Sequence, residues 1–183
     1  MKGKLFILSG PSGAGKGTVC KRLLQEMPQL VLSISMTTRN PRADEKEGIS
    51  YFFTDKENFL KTKQEDGFLE CAQHFDNYYG TPKKFVLDNI NEGKNVILEI
   101  EPVGALQVKE KMPESVLIFL TVPKKSDLID RLRSRGSETE ETIKKRMAKA
   151  EIELSQMEKY DYVVVNDEIE NAVNKIKEII GRI

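Results

Sequence analysis

Cysteine is scarce: Cys20 and Cys71 are the only two, and they stand far apart. That excludes a disulfide framework and offers no metal-ligand spacing, so a reducing compartment suits the chain. Histidine occurs once, at His74. Long apolar runs are missing as well, and no stretch approaches the roughly 20 residues that cross a bilayer. Residues 5–8 follow a basic flank but are too few for the apolar part of an export signal, and they lead directly into Gly10-Pro11. Nor is there an excess of one charge. Lys plus Arg is 29 and Asp plus Glu is 29, which leaves no global basic field for nucleic acid or an anionic membrane. No repeat, low-complexity tract or linker interrupts the 183 residues, a length that suits one well-buried domain. The expectation is a soluble, cytoplasmic domain with no nucleic-acid or membrane partner and no obligate protein partner.

What is present is local contrast. Residues 124–149 hold nine Lys/Arg against five Asp/Glu, whereas residues 35–81 hold six against nine. Short apolar runs at 5–8, 30–34, 96–100, 116–122 and 162–165 alternate with longer segments of helical period, the pattern of a parallel sheet covered by helices. Cys20, Leu23, Leu24 and Met27 fall on one helical stripe that Pro28 ends. Thr81 with Pro82 predicts a helix start, and Gly93 its close. Ile143, Met147, Ala150, Leu154 and Met157 mark one face of a long charged helix, and residues 169–180 read as the last helix. Residues 37–79 break the alternation with polar text and a capping-box signal, Thr54-x-x-Glu57, as an inserted subdomain would. Residues 124–146, rich in arginine, suit a lid, and Glu138, Glu140 and Glu141 suit the start of the next helix.

Gly10-Pro11-Ser12-Gly13-Ala14-Gly15-Lys16-Gly17-Thr18 follows an apolar run and opens an amphipathic helix. A glycine cluster alone would fit a packing turn; the lysine and both flanks select a nucleotide phosphate loop. Glycines let successive N–H groups turn around an anion, the helix terminus adds partial positive charge, and Lys16 reaches the β and γ phosphates. Gly17 stands where Ser or Thr commonly meets Mg²⁺. The metal's protein ligands are therefore left unassigned, with water, phosphate oxygens and a nearby carboxylate, Glu99 or Glu101, expected to hold it.

These residues, with Ser35-x-x-x-Arg39-x-x-Arg42, Gly48-x-x-Tyr51, Glu70-x-Ala72-x-x-x-x-Asn77-Tyr78-Tyr79-Gly80-Thr81, Arg135-Gly136-x-Glu138-Thr139-x-Glu141 and the closing Val164-Val165-Asn166-Asp167, resemble guanylate kinase along nearly the whole chain. The resemblance implies an α/β fold: a three-layer parallel-sheet core (about 1–34, 82–123 and 150–183), a GMP-binding insert (about 35–81) and a helical lid (about 124–149). It implies transfer of the γ-phosphoryl group of ATP, with Mg²⁺, to GMP; dGMP is left open as a second acceptor. Residues 10–18, Arg131, Arg135 and Asn166 are implied for ATP. Lys16, Arg39, Arg135 and Arg146 are implied for catalysis. For GMP they are Ser35, Arg39, Arg42, Tyr51, Glu70, Tyr79, Thr81 and Glu101.

The residue types agree with these roles when each is taken alone. Arg39 and Arg42 can clamp a phosphate by charge-assisted hydrogen bonds. Guanine offers N1–H and an exocyclic amine as adjacent donors that one carboxylate, Glu70, accepts together, a pairing adenine cannot make. Arginines over the transferring group stabilise its charge. An acceptor phosphate with second pKa near ~6 is already ionised at neutral pH, so no general base is required and His74 is left without a catalytic role. The sequence departs from the family at Pro102-Val103, where glutamine usually precedes Gly104, and at Cys71, where an aromatic is frequent; Cys71 is read as packing. Two rivals stay open at this point: a kinase for AMP or a pyrimidine nucleotide, and a non-catalytic interaction module.

Overall fold

The computed structural model describes residues 2–74, 76–134 and 140–183. In chain order its elements are β1 (Leu5–Ser9), α1 (Lys16–Glu26), β2 (Val31–Leu32), β3 (Met36–Thr37), β4 (Phe52–Phe53), α2 (Lys56–Gln64), β5 (Phe68–His74), β6 (Asn77–Pro82) and α3 (Lys83–Asn91). There follow β7 (Val96–Glu99), α4 (Pro102–Lys111), β8 (Val116–Thr121), α5 (Lys125–Ser134), α6 (Glu140–Leu154), a 3₁₀ turn at Met157–Lys159, β9 (Tyr162–Val165) and α7 (Ile169–Arg182). The chain divides into two units. One takes in Gln29–Leu98 and Val103–Ser115 with the start of the chain up to Leu5; the other takes in Phe6–Pro28, Glu99–Pro102 and Val116–Ile183.

In the second unit β1 runs parallel to β8, Phe6 opposite Val116 through Ser9 opposite Phe119, and β8 runs parallel to β9. All of β1 and the first five residues of β8 are buried. Both read as unbroken apolar runs because a parallel strand is covered on both faces. The helices supply the cover. α7 buries Ala172, Val173, Ile176, Ile179 and Ile180, one stripe at helical spacing, and packs on α1, which buries Val19, Cys20 and Leu23. Burial pushes the Cys20 thiol up to about 12, so Cys20 serves packing rather than redox chemistry. α5 and α6 meet through Val122, Leu128 and Ala150, with Met147 and Leu154 against them, as the apolar stripe of α6 predicts.

In the first unit β2 runs parallel to β7, but only Val31 and Leu32 of the expected 30–34 run join that ladder. A separate four-stranded sheet has the order β4-β3-β6-β5, with β6 antiparallel to both neighbours. Its register shifts between Phe68 and Cys71. Phe68, Leu69 and Glu70 are all buried there, because a bulge suspends the alternation of faces. α2 packs through Phe59, fully buried, with its ring stacked 4.5 Å from Phe68 and 5.5 Å from Tyr78.

Two helix starts lie one residue past the expected caps. Asp55, not Thr54, accepts the Asn58 N–H at 2.7 Å and caps α2, while the Thr54 N–H is taken by the Thr37 carbonyl. Pro82 stands at the N-cap of α3, and Thr81 remains in β6, its hydroxyl committed elsewhere. The close of α3 is as expected: the N–H groups of Gly93 and Lys94 bond to the carbonyls of Ile90 and Asn89, with Gly93 left-handed at φ 81°.

Phe59→Ala is expected to lower the free energy of unfolding by roughly 3–5 kcal/mol, the cost of a cavity under an aromatic stack. Urea denaturation followed by circular dichroism measures it; a loss below about 1 kcal/mol would mean that this cluster does not hold α2.

Candidate active site

The loop between β1 and α1 is shaped by bonds to its carbonyl groups. Asn166 Nδ2 and Arg131 Nη1 donate to the Ala14 carbonyl at 2.7 and 3.3 Å, and Arg131 Nη2 donates to the Asn166 carbonyl at 2.8 Å. Gly15, at φ 92°, is the N-cap of α1. A Cβ there would lie 2.5 Å from Asn166 Nδ2, so only glycine fits. Lys16 Nζ donates to the carbonyls of Gly10 and Pro11 at 2.7 and 3.2 Å. The pocket of about 220 Å³ beside them is lined by Ser12, Gly13, Gly15, Lys16, Gly17, Thr18 and Glu99. It has the donors of an anion site: loop amides, a helix terminus and an ammonium.

From α6, Arg146 Nη1 donates to Ser12 Oγ at 3.1 Å. One helical turn on, Lys149 Nζ bonds both oxygens of Glu101 at 2.9 Å. Two turns on, Glu153 Oε2 accepts the Ser12 N–H at 3.3 Å, and its Oε1 lies 3.7 Å from Lys149. Glu153 is only 5% exposed, and burial pushes its carboxyl above the ordinary range, with Lys149 opposing. Glu99 is exposed as a residue, yet its carboxylate lies 3.6 Å from where a Gly17 Cβ would be, and its crowded setting raises its pKa against the pull of Lys16. Lys16 is held below its ordinary value by burial, against which Glu153, Glu99 and Glu101 act in that order.

In the first unit, Arg39 is fixed by Glu45, whose Oε1 accepts Nη2 at 2.7 Å, and its guanidinium carbon lies 5.5 Å from the centre of the Tyr51 ring. Tyr51 and Tyr79 meet edge to face at 6.1 Å. Arg42 gives its main-chain N–H to Glu45 Oε2 at 2.8 Å, and its side chain is exposed. Glu70, 7% exposed, accepts the Thr81 hydroxyl at 2.7 Å, which is why Thr81 does not cap α3. Gly104 makes room for that carboxylate, since a Cβ would stand 2.9 Å from Glu70 Oε2. Ser35, half-buried, joins β4 through its carbonyl, which accepts the Phe52 N–H at 2.9 Å. Cys71 gives its N–H to Gln107 Oε1 at 3.4 Å.

The structure thus brings together Gly10, Pro11, Ser12, Gly13, Ala14, Gly15, Lys16, Gly17, Thr18, Arg131, Arg146 and Asn166 in one unit, and Arg39, Arg42, Tyr51 and Tyr79 in the other, with Glu70 and Thr81 paired there too. Glu101 belongs to the unit of the phosphate loop. Arg135 and Glu138 lie outside the described residues, as does the side chain of His74. Glu45 and Glu153 are absent from the sequence expectations. Glu45 stands among other acids in a polar stretch. Glu153 had one signal, an acid on the buried side of an otherwise apolar helix stripe.

The guanylate kinase family profile matches residues 2–182. A guanylate kinase of Caldanaerobacter subterraneus subsp. tengcongensis is 53% identical over 179 residues, 98% of this chain and 87% of that protein. One from Latilactobacillus sakei is 52% identical over 180 residues, 98% and 89% of the two chains. The crystal structure of guanylate kinase from Anaplasma phagocytophilum superposes with a TM-score of 0.77 at 36% identity, covering 99% of this chain and 86% of that one.

The raised carboxyl of Glu153 gives a stability prediction. A group whose folded pKa exceeds its unfolded value contributes stability at low pH and loses it as pH rises through the folded value. Glu153→Gln keeps an acceptor for the Ser12 N–H and removes that titration. Its unfolding free energy relative to the parent should therefore climb as pH rises from the ordinary carboxyl value of 4.5 and then level off. Urea midpoints across pH measure the difference; a constant offset would show that Glu153 ionises as freely folded as unfolded.

Proposed function

The chain belongs to the guanylate kinase family, enzymes that pass the γ-phosphoryl group of ATP to GMP to give GDP and ADP, and we propose that it does so with the triphosphate on residues 10–18 and GMP on the residues around Arg39 and Glu70. We take residues about 35–81 as the acceptor insert, about 124–149 as the lid and the remainder as the core.

The observation that carries the guanine assignment is the buried carboxylate of Glu70, oriented by Thr81 and given space by Gly104. Guanine alone among the common bases presents two adjacent donors to such a group. A site built on buried polar pairing rejects a base that lacks those donors by ~10⁴ or more, because the mismatch leaves groups unpaired. On the donor side, Asn166 is 3% exposed and its Oδ1 has no hydrogen-bond partner among the described residues. A buried acceptor suits an N–H donor, and the only one ATP carries is its exocyclic amine.

Loop amides and Lys16 bind the phosphates, Lys16 exchanging the Gly10 and Pro11 carbonyls for phosphate oxygens. Arg39 and Arg42 hold the acceptor phosphate, with Tyr51 and Tyr79 at its rim and Ser35 and Glu101 assigned to the base. Arg146, already at the Ser12 hydroxyl, stabilises charge on the transferring group together with Arg135. The acceptor oxygen needs no deprotonation, so catalysis is positioning and charge neutralisation, and closure over the site excludes competing water. The residues fit a Mg²⁺ that comes with ATP, since Glu99 is the one carboxylate lining the loop pocket. Glu99 would hold the ion alongside water and phosphate oxygens, and the ion would supply neutralisation of phosphate charge.

AMP and pyrimidine nucleotides lack the donor pair that Glu70 accepts, and a non-catalytic module would not require Lys16 and Arg146 at the loop. No helix among the described residues is long and apolar enough to cross a membrane.

A coupled assay of ADP release with GMP, dGMP, AMP, CMP and UMP is expected to show turnover with the guanine nucleotides alone; preference for any other base would sink the Glu70 assignment. Lys16→Ala should lower kcat by roughly a hundredfold or more with the melting temperature preserved. Glu70→Gln should raise the KM for GMP and leave that for ATP near the parent value, whereas equal effects on both would remove Glu70 from the base pocket.

A further inference from the structure

Of the carboxylates among the described residues, only those of Glu70 and Glu153 are buried. Glu153 sits on the face of α6 that also buries Ile143 and Ala150, and burial opposes its ionisation. An apolar residue of the same volume commonly serves stability as well as a buried ionic group or better, so the fold alone gives no reason for an acid there. Lys149 does not account for it. Its Nζ bonds both oxygens of Glu101 at 2.9 Å and stays 3.7 Å from Glu153, in the lysine-first order that is the weaker one for a pair four residues apart. The hydrogen bond Glu153 makes is with the main chain of the phosphate loop, its Oε2 accepting the Ser12 N–H at 3.3 Å. Two turns earlier on the same helix, Arg146 Nη1 donates to the hydroxyl of that same serine at 3.1 Å. One helix therefore holds Ser12 by both its main chain and its side chain.

We propose that Glu153 is a positioning residue for Arg146: by taking the Ser12 N–H it fixes the register of α6 against the phosphate loop, and with it the place where the guanidinium meets the transferring group. This role rests on the reading of Arg146 as a stabiliser of charge on that group. Glu153 touches no substrate; it acts through Ser12 and the helix. The rival role for a buried acid beside this loop is countercharge for Lys16, whose protonated form Glu153 favours more than Glu99 or Glu101 does. The bonding supports positioning. Lys16 Nζ donates to the Gly10 and Pro11 carbonyls, while the carboxylate is directed at Ser12. A charged group misplaced by about 1 Å loses on the order of a hundredfold in rate, so a helix that carries such a group has to be fixed where the loop is.

The test measures kcat and the KM values for ATP and GMP in the parent, in Glu153→Met, which keeps the packing volume and has no strong acceptor, and in Glu153→Gln, which keeps an acceptor and has no charge. Each is made with and without Arg146→Ala. Glu153→Met is expected to lower kcat roughly ten- to hundredfold, with both KM values within about threefold and the melting temperature close to the parent's. Glu153→Gln should restore kcat to within about threefold of the parent. In the Arg146→Ala background, Glu153→Met should lower kcat by less than about twofold more, since the group it positions is gone. A parent-like kcat in Glu153→Met overturns the proposal. Glu153→Gln as slow as Glu153→Met also overturns it, as the mark of a countercharge. Losses that multiply with that of Arg146→Ala overturn it too, because they show independent action. Should Glu153→Met fail to fold, Ser12→Ala cuts the same link on the arginine side and should lower kcat alone; an unchanged kcat there overturns the proposal. A parent without GMP turnover, or Arg146→Ala at the parent's rate, instead overturns the functional reading beneath it, and either result is seen without any Glu153 variant.

Discussion

The carbonyl oxygen of Ala14 is the fixed point of the loop between β1 and α1. Asn166 and Arg131 both donate to it, and Arg131 also holds the Asn166 main chain, so α5, the end of β9 and the phosphate loop are locked at one atom. In a trans peptide the C=O and the following N–H point in opposite directions. Drawing the Ala14 oxygen toward Asn166 therefore turns the Gly15 N–H away from it, and Gly15 lines the phosphate pocket. The left-handed backbone of Gly15 and the absence of a Cβ follow from the same lock, because the Asn166 amide occupies the space a side chain would take. α1 then begins at Lys16 with its terminus beside that pocket.

The two clusters proposed to hold phosphate are built by different means. The donor half depends on main-chain groups held by tertiary contacts, with one ammonium. Its carboxylates stand in settings that oppose their ionisation: burial raises the carboxyls of Glu153 and Glu99, and the same burial depresses Lys16. These groups reduce stability individually and support one another, since each carboxylate favours the protonated lysine. Such arrangements are found where function outweighs local stability. The acceptor half uses side chains. Arg39 is paired with Glu45 in a manner that favours both charges, and Glu70 is buried against the Thr81 hydroxyl.

What could be read from the sequence divides along the range of the interactions. The apolar runs at 5–8, 96–100, 116–122 and 162–165, the last helix and the Gly93 stop are set by spacing within one element and lie close to where expected, whereas the run at 30–34 shortens to Val31–Leu32 and the α6 stripe stops at Leu154, with Met157 in the 3₁₀ turn. The phosphate loop is legible for the same reason: strand, glycines, lysine and helix are contiguous. The helix caps slipped by one residue because Thr54 and Asp55 are both able caps, and the β3 ladder claims the Thr54 amide. Thr81 looked like a cap because it precedes proline; its hydroxyl is drawn to a partner eleven residues away. Glu70 gave no alternation to read, for the bulge that buries it with Phe68 and Leu69 is a property of the pairing with β6. Glu153 binds a loop 141 residues distant, which no local pattern encodes.

The departures from the family pattern can be weighed in the same terms. Gly17 in place of Ser or Thr removes a hydroxyl from the loop, and the carboxylate of Glu99 lies within van der Waals distance of the space that side chain would fill. Pro102-Val103 stands where glutamine commonly precedes the glycine; Val103 is 67% exposed and Gly104 is buried against Glu70. The substitution at 103 therefore falls on a surface position, while the residue beside it, whose lack of a side chain admits the Glu70 carboxylate, is kept. Close approach, more than side-chain identity, is the constraint this segment places on the surroundings of Glu70. A change at 104 would displace Glu70 directly, whereas a change at 103 leaves the Glu70–Thr81 pair in place.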